Sequence, residues 1–196
     1  MDRMNRVGRS VADGPHRCVL LAGPAGSGKT AMCRLGYRAM VTAWGHPSAA
    51  IDVDELYRNV DARWELPYDD ARNAMVLTQA AQLATSLFEH GWRTVTICGN
   101  SLFDPSDTSH IVVALRPIAE IYHVTLTPSI DTVLSRCAGT IGRDATRMRR
   151  DFDIHAAHEH PGTARLDNTD MAADEALGEL ARLVLGGAGR LRPPTD

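Results

Sequence analysis

The chain has 196 residues, 44% of them hydrophobic, and a formal net charge of −3 at pH 7. That length suits a single domain with a real core, and the near-balanced charge disfavours DNA or RNA as the main partner. The four cysteines, Cys18, Cys33, Cys98 and Cys137, form no C-x-x-C pair, so they read as small buried apolar residues in a reducing cytosol rather than as disulfides or a zinc site.

Residues 1–16 are polar and carry Arg3, Arg6 and Arg9 with no apolar run behind them, which reads as a flexible tail rather than a secretory signal. No apolar run approaches the length of a membrane span, and a soluble cytoplasmic protein is expected. The segment 17–22, Arg-Cys-Val-Leu-Leu-Ala, is a short apolar run that reads as a buried strand.

Directly after it stands Gly23-Pro24-Ala25-Gly26-Ser27-Gly28-Lys29-Thr30, which fits the phosphate-binding pattern G-x-x-x-x-G-K-[ST] at every fixed position. Glycines let the backbone turn tightly, so successive N–H groups point inward around a β-phosphate. The helix beginning at the loop turns its positive dipole end to the same anion. Lys29 can reach β- and γ-phosphate oxygens, and the Thr30 hydroxyl suits Mg²⁺. All eight residues are therefore expected to bind ATP. A Gly-rich turn before an ordinary helix is the plain alternative, and it is weak with every fixed position matched between a strand and a helix.

A helix is expected over 31–40, a turn over 44–48, and a second strand over 49–54 ending in Asp52 and Asp54, with Asp54 placed to cap a helical segment from residue 55. Residues 66–70 break that segment. A long helix follows over 71–90, with Val76, Ala80, Leu83 and Leu87 on one apolar face and Gly91 as its stop. Strand three is 94–98, followed by Gly99-Asn100 and a helix over 106–115. Strand four is 120–126, followed by a helix over 130–137, a break over 138–142, a short basic segment over 143–150, a last strand over 164–167 and a closing helix over 171–185. Residues 186–196, rich in Gly and Pro, read as a flexible C-terminal tail.

Strands alternating with helices predict an α/β fold, a five-stranded parallel sheet with helices on both faces. Ligands of such sheets bind beyond the carboxyl ends of the strands. That rule selects the phosphate-binding loop, Asp52 and Asp54, Asn100 and Thr127. Asp52 and Asp54 lie two apart, so on a strand they share a face. Asp52 is then the candidate Mg²⁺ ligand, with Thr30, and Asp54 the candidate base for an acceptor hydroxyl. The alternative for either is simply capping the next helix.

On these motifs, residues 18–185 resemble the small P-loop kinases of metabolites: shikimate kinase, gluconate kinase, adenylyl-sulfate kinase and chloramphenicol phosphotransferase. The loop is specific to P-loop proteins at large, and Asp52-Val53-Asp54 narrows the resemblance to shikimate-kinase-like folds. His90 through Ile97 is similar to this group's helix end, Gly and strand three. Leu166-Asp167-Asn168-Thr169 is similar to its last strand and adenine-side loop. The resemblance implies a P-loop NTPase fold of residues 17–185 with a small mobile lid at about 138–160. It also implies a lid arginine on the phosphates, for which Arg143 is the first choice and Arg136 and Arg147 are the others. The plain alternative for these arginines is a solvated basic face paired with Asp144, Asp151 and Asp153. One departure is that strand three ends Cys98-Gly99-Asn100, where a Walker B strand ends in Asp. That shifts the metal towards Asp52 and speaks against a motor ATPase.

Three other features carry less. His155, His158 and His160 match no zinc spacing, Asn168-Thr169-Asp170 lacks the lysine of a guanine-reading motif, and the three tryptophans suit packing, with Trp64 the possible exception. The expectation is an ATP- and Mg²⁺-dependent kinase in which Lys29, Asp54 and Arg143 act on the transferred phosphate. Its acceptor is a small hydroxylated metabolite or antibiotic, contacted by Tyr57, Arg58, Asn100 and the chain up to Asp70. A nucleotide or polynucleotide 5′-kinase and an ATP-binding accessory protein are the alternatives. Neither the acceptor nor the oligomeric state is legible in the sequence.

Overall fold

The computed structural model describes residues 14–63, 69–139, 144–157 and 161–192. Its elements run β1 (Arg17–Ala22), α1 (Lys29–Cys33), α2 (Tyr37–Trp44), β2 (Ser48–Asp52), α3 (Val53–Arg58), α4 (Asp70–Glu89), β3 (Thr94–Cys98), a 3-10 turn (Ser101–Phe103), α5 (Pro105–Leu115), β4 (Glu120–Leu126), α6 (Ile130–Cys137), α7 (Ala145–Ala157), β5 (Ala164–Leu166) and α8 (Ala173–Leu185). The sheet is five-stranded and parallel in the order β2-β3-β1-β4-β5, matching the α/β architecture expected above.

β1 sits at the centre, and its alternation builds both halves of the core. Cys18, Leu20 and Ala22 face one layer with Val76, Ala80, Ile111 and Leu115 from α4 and α5. Val19 and Leu21 face the other with Met32, Met40, Trp44 and Leu177 from α1, α2 and α8. The register sets Asp52 beside Cys98 and Cys98 beside Leu21. The carboxyl ends of β2, β3 and β1 therefore finish level, and the functional loops leave from one edge.

Several elements differ from expectation for local reasons. The expected helix 31–40 is two helices, because Gly36 takes an extended conformation (φ −64°, ψ 164°) and starts α2 afresh. In α4 the buried face is Asn73, Val76, Leu77, Ala80, Ala81, Ala84 and Phe88, while Leu83 is exposed. Small alanines, not only leucines, form that contact. Residues 145–150 of the expected basic segment belong to a longer helix, α7, which packs Met148 and Phe152 on Val133 of α6. His16, in the expected N-terminal tail, stacks on Phe88 at 4.8 Å. The expected C-terminal tail is tied down over 186–192. His123 N–H donates to Gly189 O (2.8 Å), Leu191 N–H donates to Ile121 O (2.9 Å), and Arg190 pairs with Glu120 at 2.5 Å. These residues satisfy the half of β4 that the short β5 does not reach. Among the described residues, no helix is long and apolar enough to cross a membrane.

Candidate active site

The loop between β1 and α1 curls over the carboxyl end of the sheet, with Gly23, Gly26 and Gly28 all at positive φ. Gly26 is required twice over. Its φ is +82°, and a Cβ there would lie 2.5 Å from Cys137 Sγ and 3.2 Å from Val133 O, so α6 packs directly on bare backbone. Lys29 is the first residue of α1 and only 7% exposed. Its Nζ donates to Gly23 O (2.6 Å), Pro24 O (3.0 Å) and Ser27 Oγ (3.4 Å), so the ammonium closes the loop on itself. Burial pushes its pKa below the ordinary value, against the opposing pull of nearby groups that include Asp54 and Asp52.

The loop opens on a cleft of about 480 Å³ whose lining includes Gly26, Gly28, Lys29, Thr30, Asp52, Asp54, Asn100 and Arg136, a volume ordinary for a small-molecule site. The two aspartates do not share a strand face as expected. β2 stops at Asp52, which is the N-cap of α3, and Asp54 sits in the first turn of that helix. Asp52 Oδ1 accepts from Asp54 N–H at 3.0 Å, because an N-cap carboxylate is the natural acceptor for the unpaired N–H groups of a helix start. The capping role expected for Asp54 thus belongs to Asp52. Its second oxygen, Oδ2, is buried and has no hydrogen-bond partner among the described residues. A buried carboxylate oxygen left over in the cleft that Thr30 also lines makes a hard-oxygen donor set that fits Mg²⁺.

Arg136, in the last turn of α6, spreads its guanidinium over backbone carbonyls. Nη1 donates to Ser27 O (3.3 Å), and Nη2 to Asn168 O (2.9 Å), Met171 O (3.3 Å) and Thr169 O (3.4 Å). It therefore couples the phosphate-binding loop to the loop after β5 while lining the cleft. Asn168, absent from the residues singled out as ATP-binding, does the same from the other side. It is 2% exposed, its Nδ2 donates to Ser27 O at 2.8 Å, and its Oδ1 is buried with no partner among the described residues. The signal for it was its position just after the last strand, beyond the sheet's carboxyl edge.

Also lining the cleft, Glu55 accepts from Arg34 (2.5 Å) and Arg58 (2.6 Å). The hydrogen bonds from Arg58 and then Arg34 hold its carboxyl below the usual range. Arg58 and Asn100 border the cleft. Tyr57 does not serve there: it is 8% exposed in the core against α4, its hydroxyl accepting from Arg72 Nη1 at 3.3 Å. Thr127 spends its N–H on Leu166 O. Arg143, Trp64, His158 and His160 lie outside the described residues. Arg147 is exposed on α7, its N–H bonded to Asp144 Oδ1. His155 packs on Phe103 at a tilt of 58°, with ring centres 4.4 Å apart. Trp44 is core, and Trp92 meets Tyr37 edge-on at 5.5 Å.

Solved structures share this architecture over nearly the whole chain. A sugar kinase from Janibacter sp. HTCC2649 matches with TM-score 0.62 at 18% identity, covering 89% of this chain and 96% of that one. The adenylyl-sulfate (APS) kinase of Mycobacterium tuberculosis, solved with AMPPNP and APS, matches with TM-score 0.61 at 17% identity over 88% and 99%. Shikimate kinase from Acinetobacter baumannii, in complex with shikimate, matches with TM-score 0.58 at 15% identity over 88% and 94%. No protein-family profile and no curated protein matches the sequence. The chain thus has the P-loop kinase fold; at these identities the likeness extends to fold alone.

Proposed function

We propose that the chain is an ATP-dependent phosphotransferase that moves the γ-phosphoryl group of ATP to a hydroxyl of a small molecule. The observation that carries this reading is a G-x-x-x-x-G-K-T loop facing two carboxylates, Asp52 and Asp54, across one cleft. The kinase fold of the neighbours supports it.

The loop N–H groups and the Lys29 ammonium hold the β- and γ-phosphates. To do so Nζ exchanges its bonds to Gly23 O and Pro24 O for phosphate oxygens, which a buried cation gains strongly from. Asp52 and Thr30 would hold Mg²⁺, which supplies charge neutralisation across the phosphates. Asp54 orients the acceptor hydroxyl and takes its proton as the oxygen bonds to the γ-phosphorus and the bond to ADP breaks. The Arg136 guanidinium lies at the loop rim, where it adds positive charge to the transferred group and keeps the adenine-side loop in place. Arg143 remains a candidate for the same duty. Asn100 and Arg58 face the acceptor.

The test is Asp54→Asn. Turnover on the best acceptor from a panel of sugars, nucleosides, hydroxylated acids and aminocyclitol antibiotics falls at least about a hundredfold, while ATP affinity stays within about threefold. Wild-type turnover in this variant would remove Asp54 as the base.

A further inference from the structure

Cys33 and Cys98 are 65 positions apart, yet their sulfurs stand 2.7 Å apart. Cys33 lies in α1, four residues after Lys29 and hence on the same helical face. Cys98 ends β3 beside Asp52, where a Walker B strand would carry its acid, and it lines the cleft. Cys33 is half-buried, whereas Cys98 is 1% exposed. The contact with Cys33, and then burial, push the Cys98 thiol above its ordinary value.

We infer that Cys33 and Cys98 form a reversible redox pair whose disulfide fastens α1 to β3 and weakens nucleotide binding. The nucleotide arm rests on the kinase reading; the disulfide itself does not. A low-molecular-weight disulfide, R–S–S–R, is the oxidant. The Cys33 thiolate attacks one of its sulfurs, forming a mixed disulfide and releasing RS⁻, which takes up the Cys33 proton. Cys98, losing its proton, then attacks the Cys33 sulfur. The S–SR bond breaks, the second RS⁻ leaves with that proton, and two RSH are produced for one Cys33–Cys98 bond. Two electrons pass from the cysteines to R–S–S–R. Closing 2.7 Å to a bond of about 2.05 Å draws α1 towards the sheet and fixes Lys29 and Thr30, which must fit around phosphate. Reversible pairs of this kind are the usual form of disulfide in a reducing compartment.

The full chain is incubated with oxidised glutathione, digested with trypsin and mapped, with parallel thermal melts and titrations of ATP and Mg²⁺. Oxidation joins the peptide Thr30–Arg34 to Thr94–Arg136, the Arg116–Pro117 bond being resistant to trypsin, while Cys18 and Cys137 keep their thiols. The thermal midpoint rises, and the ATP dissociation constant rises at least about tenfold. Dithiothreitol reverses all three changes, and Cys33→Ser is indifferent to the oxidant. Absence of the joined peptide overturns the pair. A joined peptide with unchanged ATP affinity overturns the coupling. If the reduced chain binds no ATP, the kinase reading fails by itself, and the pair still stands or falls on the peptide and the melt.

Discussion

Replacing Gly26 with Ala puts the phosphate-binding loop and its packing against α6 under one controlled stress. The residue sits at φ +82°, and the added methyl would lie 2.5 Å from Cys137 Sγ and 3.2 Å from Val133 O. The backbone conformation alone costs about 1–2 kcal/mol for a residue with a Cβ. Forcing a methyl into a filled site costs about 1–3 kcal/mol more, because Val133 is 0% and Cys137 2% exposed and neither has room to retreat. Together that is about 2–5 kcal/mol, or roughly 4–20 °C in thermal midpoint for a chain of this size. Adding Cys137→Ala opens the space the methyl needs, so the double variant recovers the packing part and leaves the backbone part. Differential scanning calorimetry of the four members of that cycle gives the numbers, and a titration with ATP and Mg²⁺ on the same samples gives the functional loss. A Gly26→Ala chain that melts and binds ATP like wild type would refute both the loop conformation and its contact with α6.

Asp52→Asn keeps the Oδ1 that caps α3 and neutralises the buried Oδ2. The melting point should stay within about 4 °C, while the gain in ATP affinity from adding Mg²⁺ falls about 10–100-fold. An undiminished Mg²⁺ effect would take Asp52 out of the metal site. Asp107, in the first turn of α5, has its pKa raised above 3.8 by burial and then by the neighbouring Asp104. The folded chain therefore holds this proton more tightly than the unfolded one. The stabilisation is fully present below pH 3.8 and is lost as pH rises through the raised value. Asp107→Asn should melt above wild type at neutral pH and lose that advantage towards pH 3.8, followed by thermal melts across the acid range. An advantage independent of pH would show that the charge is not the cause.

What could be read from the residues was what short-range spacing encodes. The G-x-x-x-x-G-K-T string between an apolar run and a helix marked the loop, and alternating strands and helices marked the parallel sheet. Which of Asp52 and Asp54 caps the next helix was not legible. It depends on whether the chain turns at Val53 or goes on as a strand, and a carboxylate suits both the cap and the strand end. Leu83 looked like core because leucine dominates any hydrophobic count, yet the tight approach of α4 to the sheet is made by Ala80, Ala81 and Ala84. Gly186 to Arg192 read as a loose tail because glycines carry no packing signal. Here the bare backbone of Gly189 is what permits its close approach to His123 O. Asn168 on Ser27 and Cys33 on Cys98 are contacts of the completed fold, with separations of 141 and 65 that no local pattern records.

Calorimetric titration of the full chain with ATP and Mg²⁺, beside Lys29→Met, tests the phosphate cradle most directly. One nucleotide should bind per chain, with affinity lower by at least about a hundredfold in the variant, since the ammonium bonded to Gly23 O and Pro24 O is the cation that phosphate would claim. Lack of binding by the wild-type chain, or equal binding by Lys29→Met, would contradict the account.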